Sequence, residues 1–390
     1  MKKQFIILTL SILVGLLGTF SLNLAMAEEP GVTKTTIKIG SNMILTGPAA
    51  FWGQGSDRGA RAYYNFINDE GGVYGRKIEF INTDNQYKPV RAVAAMKKLI
   101  EKDKVFVLMG NQSAACILAA EKIFGEAGVP LIAPITTGRA LAEPPRKYLF
   151  IVFTQYRDQA KSLVDLMAKD PRWKNLKIAS IYQDDAFGKD GLEGLNKQVK
   201  KYPGLRVVAK EPFARGAKEF SSQVVKCKQS GANGLFISCA VTQAAMIIKE
   251  AEKLAWQPQF MVLSGATDDK LVELAGEATE GLLGATNVII PTEKENPVVQ
   301  KTTKIIHQYY PEQSINVPAV DGLAMAMITV EAIKRAGPHP TRAKVIEALE
   351  NMRDFKTGLV PPVNFGPNKR QGCKGAFFYQ VKGGKFVSIK

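Results

Sequence analysis

Short runs in which nearly every position is apolar alternate along the chain with longer segments whose apolar positions recur at helical spacing. The short runs are IKIGSNM from Ile37, IEFINT (78–83), VFVLM (105–109), PLIAP (130–134), YLFIVF (148–153), KIASIY (177–182), LRVVA (205–209), GLFISC (234–239), QFMVL (259–263) and LLGATNVII (282–290). A strand with water on one face alternates apolar and polar residues, so continuous apolar runs predict strands buried on both faces. The helical segments between them are 89–102, 113–127, 157–169, 186–201, 217–230 and 241–254, and Gly71-Gly72, Gly128, Gly231 and Gly337 stand where helices should stop. Strand alternating with helix predicts an α/β protein with parallel sheets covered by helices.

The alternation occurs twice, over about Thr36–Phe153 and about Thr154–Leu283, with no sequence identity between the two runs. Three helices follow, Pro297–Tyr310, the nearly all-apolar Ala319–Ala336, and Thr341–Asn351, and then a β-rich tail from VNFGP to KFVSI. The tail is too short to bury a core of its own. It must extend an existing sheet, so the chain crosses between two lobes more than once.

Between the first strand and the first helix lies LTGPAAFWGQG, expected to be a loop, with the helix starting near Ser56. Gly53, Gly55 and Gly59 approach a dinucleotide fingerprint. That fingerprint needs a tight turn directly after the strand and G-x-G-x-x-G spacing. Here the loop is long, the third glycine is one residue late, and Phe51-Trp52 fill the space of a pyrophosphate. In open α/β sheets, ligands sit at the carboxyl ends of strands, which makes this loop a candidate binding element.

The N-terminal MKKQFIILTLSILVGLLGTFSLNLAMA carries a basic start, an apolar stretch over Phe5–Phe20 and an A-x-A site ending at Ala27. These features predict a secretory signal peptide over residues 1–27, with the mature protein starting at Glu28. No later apolar run approaches the ~18 residues of a spanning helix. Loss of Lys2 and Lys3 takes the formal charge from +16 to +14. The basic residues are spread over helices, such as Lys97, Lys98, Lys102 and Lys104, which reads as solvated helix faces rather than a nucleic-acid patch. Cys116, Cys227, Cys239 and Cys373 allow three pairings. Cys227 and Cys239 fall at opposite ends of an antiparallel helix–strand pair, roughly 15–20 Å apart at ~3.3 Å per strand residue, against the ~7 Å a disulfide spans. The other pairings stay open.

Recognisable catalytic arrangements are missing. His307 and His339 stand apart from any nucleophile, and the chain has no G-x-S-x-G, G-K-[ST], H-E-x-x-H or C-x-x-C. No cofactor or metal is expected, and an exported hydrolase is the weaker reading.

TGPAAFWGQGSDRGARAYYNFINDEGGVYGRKIEFINTDNQYKP resembles the opening of the periplasmic binding proteins of branched-chain amino-acid ABC transporters. The similarity continues through GNQSAA (110–115), AGVPLIAP (127–134), YQDDAFGKDG (182–191), FSSQV (220–224) and EATEGLLGATN (277–287). It implies the two-lobed type I fold with three hinge crossings, near Phe153–Tyr156, Asn287–Pro291 and Phe355–Pro362. Lobe 1 would comprise 28–154 plus 288–355, and lobe 2 155–287 plus 356–390. It also implies a monomeric periplasmic protein that hands a small-molecule ligand to an ABC transporter permease in the inner membrane.

The ligand loops of the first lobe are then Ala49–Gly53, Asn111–Ala115 and Ile135–Gly138, and those of the second are Asp184–Gly188, Ala240–Gln243 and Ser264–Asp268. Gln112, Ser113 and Ala114 open a helix whose free amides suit a carboxylate, while Ser113 alone reads equally as a helix N-cap. Thr136 and Thr137 follow a strand and can bind the same anion. By the resemblance, Trp52 covers the ligand's side chain, Phe187 stands where relatives often carry Tyr, and Ala240 is small where they carry an aromatic residue. Relatives that bind aliphatic amino acids hold the ligand ammonium with an acid just after the strand matching QFMVL. This chain has Ser264 there. A buried ammonium needs a partner, so the expectation divides: Asp268 substitutes, or Asp321 does, or the ligand is a bulkier carboxylate without an ammonium group, such as an aromatic acid.

Overall fold

The computed structural model describes residues 29–47 and 49–389, so the expected signal peptide lies outside the described residues. Two sheets form. The first has order β2-β1-β3-β4-β5, built from β1 (Thr36–Met43), β2 (Lys77–Asp84), β3 (Val107–Met109), β4 (Leu131–Ile132) and β5 (Leu149–Phe150). All its pairings are parallel. The second has order β12-β11-β10-β9-β8-β6-β7. Its strands are β6 (Lys177–Gln183), β7 (Arg206–Phe213), β8 (Gly234–Ser238), β9 (Gln259–Val262), β10 (Leu283–Thr286), β11 (Phe377–Lys382) and β12 (Lys385–Ser388). The two tail strands pair antiparallel at its edge. The continuous apolar runs have their expected cause. β8 is buried at all five positions, and β1 is buried from Ile39 to Met43.

The helices of the first unit are α1 (Ala50–Asp69), α2 (Pro89–Lys97, continued by a wider turn to Lys102), α3 (Ala114–Glu126) and α4 (Arg139–Ala142). Those of the second are α5 (Tyr156–Ala168), α6 (Ala186–Val199), α7 (Ser221–Gln229), α8 (Val241–Lys253) and α9 (Asp269–Ala275). After β10 come α10 (Pro297–Tyr309), α11 (Val317–Arg335) and α12 (Arg342–Glu350). Gly128, Gly231 and Gly337 end helices at φ of 65°, 70° and 85°, a backbone region that costs glycine little.

Two expectations need correction. First, α1 starts at Ala50, so Phe51, Trp52 and the glycines expected in a loop belong to its first turns. Glycine is a poor helix former. It is needed here for closeness: a Cβ on Gly53 would lie 1.9 Å from the Ile44 carbonyl oxygen, and one on Gly59 1.8 Å from that of Ala319. Reciprocally, a Cβ on Gly322 would lie 2.0 Å from the Ser56 carbonyl oxygen. Helices α1 and α11 therefore touch backbone to backbone.

Second, the last crossing does not fall at Phe355–Pro362. Residues 363–373 stay with the first sheet. Gln371 bridges Ile151, Gly372 N donates to Ile151 O at 2.7 Å, and Cys373 N donates to Val152 O at 2.8 Å. The buried Arg370 anchors this segment through Glu350 at 2.6 Å and the Arg146 carbonyl at 3.0 Å, with its guanidinium over the Phe150 ring. The chain leaves for the second sheet only between Cys373 and Phe377. Residues 363–373 carry no long apolar run; backbone pairing, the Arg370 anchor and the burial of Val363, Phe365 and Cys373 hold them. Cys116, Cys227, Cys239 and Cys373 are all buried free thiols.

The helix contact makes a testable claim. Gly59→Ala should lower the unfolding free energy in urea by about 2–3 kcal/mol or more, since an added methyl there meets backbone that cannot rotate away. Gly125→Ala, in α3 with its nearest neighbour 4.0 Å from the new Cβ, should be neutral or stabilising by up to ~1 kcal/mol. Equal effects from the two would refute the close-contact account.

Candidate functional site

The carboxyl ends of β1, β3 and β4 face those of β6, β8 and β9 across a cleft, and a cavity of about 140 Å³ lies between them. One water occupies ~10–15 Å³ on this measure, so the space takes on the order of ten non-hydrogen atoms.

Its first wall is the start of α3. Ser113 is the N-cap, at φ 76°, with its hydroxyl accepting from Cys116 N at 3.4 Å. A non-glycine residue at positive φ is strained by about 1–3 kcal/mol, and such strain gathers at working sites. Thr136 Oγ1 accepts from Ser113 N at 2.9 Å, which leaves the threonine hydroxyl proton free to donate. Ala114 and Ala115 line the cavity, and first-turn amides have no acceptor within their own helix. These donors and the positive end of the helix dipole form an anion pole. Gln112 lines the wall as a brace, with Oε1 accepting from Ile44 N at 3.0 Å.

The apolar side is aromatic. Trp52 reaches across the cleft and donates from Nε1 to Gly265 O at 3.1 Å. Phe187 packs on Tyr156 with ring centroids 4.3 Å apart. Ala240 and Ser264 form the far corner. The Ser264 amide donates to Gln159 Oε1 at 3.0 Å and its hydroxyl accepts from Asn287 at 3.4 Å.

Asp321, in the first turns of α11, lines the cavity from the first lobe. It is 4% exposed, and its Oδ1 has no hydrogen-bond partner. Burial, with the charge of Asp268 adding to it, pushes its pKa well above the usual carboxylate range.

Two expected site residues face elsewhere. Thr137 is buried, and its hydroxyl donates to Thr154 O at 3.1 Å beneath the cavity floor. Asp268 caps α9 by accepting from Lys270 N at 2.7 Å, and its other oxygen accepts from Val317 N at 2.8 Å. Its carboxylate thus joins the second lobe to the start of α11 and is spent on backbone.

The structure adds a polar cluster that the sequence reading did not name. Asp185 caps α6, and its Oδ2 accepts from Gln183 at 2.6 Å and from Arg215 at 2.9 Å. The Arg215 guanidinium lies 3.9 Å from the Tyr87 ring centroid. Tyr87 and Arg215 follow β2 and β7, so extending the strand-end rule to those edge strands would have found them. Gln243, at the end of an expected ligand loop, also lines the cavity, with a buried and unpartnered Oε1. Among the described residues no group of three or more metal-ligating side chains gathers, and no helix is long and apolar enough to cross a membrane.

Two α/β sheets presenting strand ends to one shared cavity define a cleft-type solute receptor. Residues 36–385 match the model of the periplasmic binding protein family, and the chain belongs to that family. It is 26% identical over 346 residues to the leucine-, isoleucine-, valine-, threonine- and alanine-binding protein of Pseudomonas aeruginosa, covering 88% of each chain. It is 28% identical over 261 residues to an amino acid binding protein of the same species, covering 66% of this chain and 68% of the relative. Among solved structures, a branched-chain amino acid ABC transporter protein from Thermus thermophilus with bound valine superposes with a TM-score of 0.83 at 23% identity, covering 92% of this chain and 96% of that one. The fatty acid ABC transporter substrate-binding protein of Thermomonospora curvata superposes with a TM-score of 0.84 at 23% identity, covering 93% of each. At these identities the two structures share the fold.

The buried carboxyls set a pH dependence. Burial pushes Asp268 and Asp190 up to about 6, and Asp321 rises further. An unfolded Asp titrates near 4. Between these values the folded protein binds more protons than the unfolded chain, so stability falls as pH rises from about 4 to about 6. The melting temperature should therefore be higher at pH 5 than at pH 7, and Asp321→Asn should flatten the slope. A melting temperature that climbs with pH through this window would contradict the assignment.

Proposed function

We propose that the mature chain, cut after Ala27, captures a small carboxylate-bearing solute in the periplasm and delivers it to an ABC permease of the inner membrane. The solute is a branched-chain or other hydrophobic amino acid, and the protein binds it without transforming it. The observation that carries this reading is one cavity between the two sheets with an anion pole at α3 and an aromatic wall of Trp52, Tyr156 and Phe187. The names of the Pseudomonas relatives point the same way. A volume for roughly ten atoms suits an amino acid.

In this reading lobe 1 comprises residues 28–154 with 288–373, and lobe 2 comprises 155–287 with 374–390. The ligand docks on the α3 amides and Thr136, and Trp52 covers its apolar part. Lobe 2 then closes, favoured by contacts that a ligand makes to both lobes at once. Micromolar affinity would correspond to about −8 kcal/mol. A second reading rests on the corner of Ala240 and Ser264, which offers room but no acid: an aromatic carboxylate without an amino group.

Calorimetry on the mature protein with leucine, valine, phenylalanine and benzoate tests the class. At least one should bind, and Thr136→Val and Trp52→Ala should each weaken it about tenfold or more, while Thr137→Val should change stability more than affinity. Binding by none of the four, or full affinity in both cavity variants, would sink the assignment.

A further inference from the structure

Two residues that line the cavity each carry a buried oxygen with no donor to satisfy it. Asp321 Oδ1 and Gln243 Oε1 are both buried and unpartnered, and their residues are 4% and 7% exposed. They come from opposite walls, α11 and α8. A buried acceptor left unpaired costs free energy, and a buried carboxylate more so. Ionised, Asp321 accepts as the Gln243 oxygen does, so both call for a donor that a ligand would bring. No side-chain donor of the cavity reaches either oxygen. Arg215 is held by Asp185 and the Tyr87 ring, and the Asn287 amide donates to Ser264. We propose that Asp321, with the Gln243 amide oxygen opposite, receives the ammonium group of the ligand. This rests on the amino-acid reading above and decides between its two branches.

The placement of α11 supports it. Met325, one turn beyond Asp321, packs on the β3–α3 loop: a Cβ on Gly110 would lie 3.4 Å from Met325 Cε. The helix carrying the acid is thereby tied to the loop that leads into the anion pole at Ala114 and Ala115. Both charged ends of a zwitterion then meet the first lobe. The second lobe contributes Gln243, which completes the ammonium's hydrogen bonds only after closure, and Phe187 for the side chain. An ammonium has three N–H donors and no acceptor, which matches a wall of unpartnered oxygens. Ser264 needs no acid in this arrangement, because the carboxylate has moved to the opposite lobe.

The test pairs each amino acid with its analogue lacking the amino group: leucine with 4-methylpentanoate, and phenylalanine with 3-phenylpropanoate. Calorimetry on the wild-type protein should show at least one amino acid binding a hundredfold or more tighter than its partner. Asp321→Asn should weaken that amino acid about a hundredfold and change the analogue less than threefold. Gln243→Leu should give a smaller loss, about tenfold, again confined to the amino acid, and serves if Asp321→Asn fails to fold. Analogues binding as well as or better than the amino acids would overturn the proposal and leave the carboxylate reading standing. So would an amino acid whose affinity is unchanged by Asp321→Asn or Gln243→Leu. Binding by neither set would remove the carboxylate reading itself, and this inference with it.

Discussion

The contact between α1 and α11 is the constraint on which the rest of the molecule depends. With Gly59 against the Ala319 carbonyl and Gly322 against that of Ser56, the helix axes come closer than side chains would allow. That closeness has two consequences at the cavity. It brings the first turn of α1, with Trp52, and the first turns of α11, with Asp321, to the same side of the cleft. It also makes both positions rigid, because a backbone contact cannot relax by rotamer change. A helix with glycines at positions 53, 55 and 59 would be weak alone. Packing against an almost wholly buried partner helix offsets that weakness.

The cavity holds its polar groups in unequal states of satisfaction. Asp185, Gln183, Arg215 and Tyr87 form a closed set at one side. Ser264, Asn287 and Gln159 form another beneath the far corner. Against these, the α3 amides and the Asp321 and Gln243 oxygens stay open. In a low-dielectric interior a satisfied network is rigid and an orphan is costly. The pattern of open groups is therefore informative about what fits: donors at the start of α3, acceptors on Asp321 and Gln243, and aromatic rings lining the same space.

Several contacts span the cleft. Trp52 donates to Gly265, Asp268 accepts from Val317, and Arg139 pairs with Glu193. The first is partly buried and the second fully buried, whereas the third is half exposed and worth little. An acid expected in the ligand site thus turns out to hold the two lobes together, and its neighbour in space, Asp321, is left as the free carboxyl.

Much of this was legible in the residues. Continuous apolar runs require two-sided burial, so parallel sheets and their strand positions follow from composition and period alone. Helix ends follow from glycine's tolerance of positive φ. The α3 anion pole was legible because a strand end, a serine cap and a helix start are local features. Three things were not. Gly53 and Gly55 read as a loop because what requires them is a close approach, of the Ile44 carbonyl to Gly53 and of Pro318, more than 250 residues away in α11, to Gly55. Residues 363–373 carry no long apolar run because main-chain pairing to Ile151 and Val152, the Arg370 anchor and a few isolated buried side chains hold them. The roles of Thr137, Asp268 and Asp321 were undecided because a polar side chain near a strand end can turn to backbone or to the cleft, and only its packed neighbours determine which. The sequence determined the class of fold and the ends at which a ligand could sit. The tertiary structure decided which side chains face it, since hydrogen-bond satisfaction depends on distant partners and not on spacing along the chain.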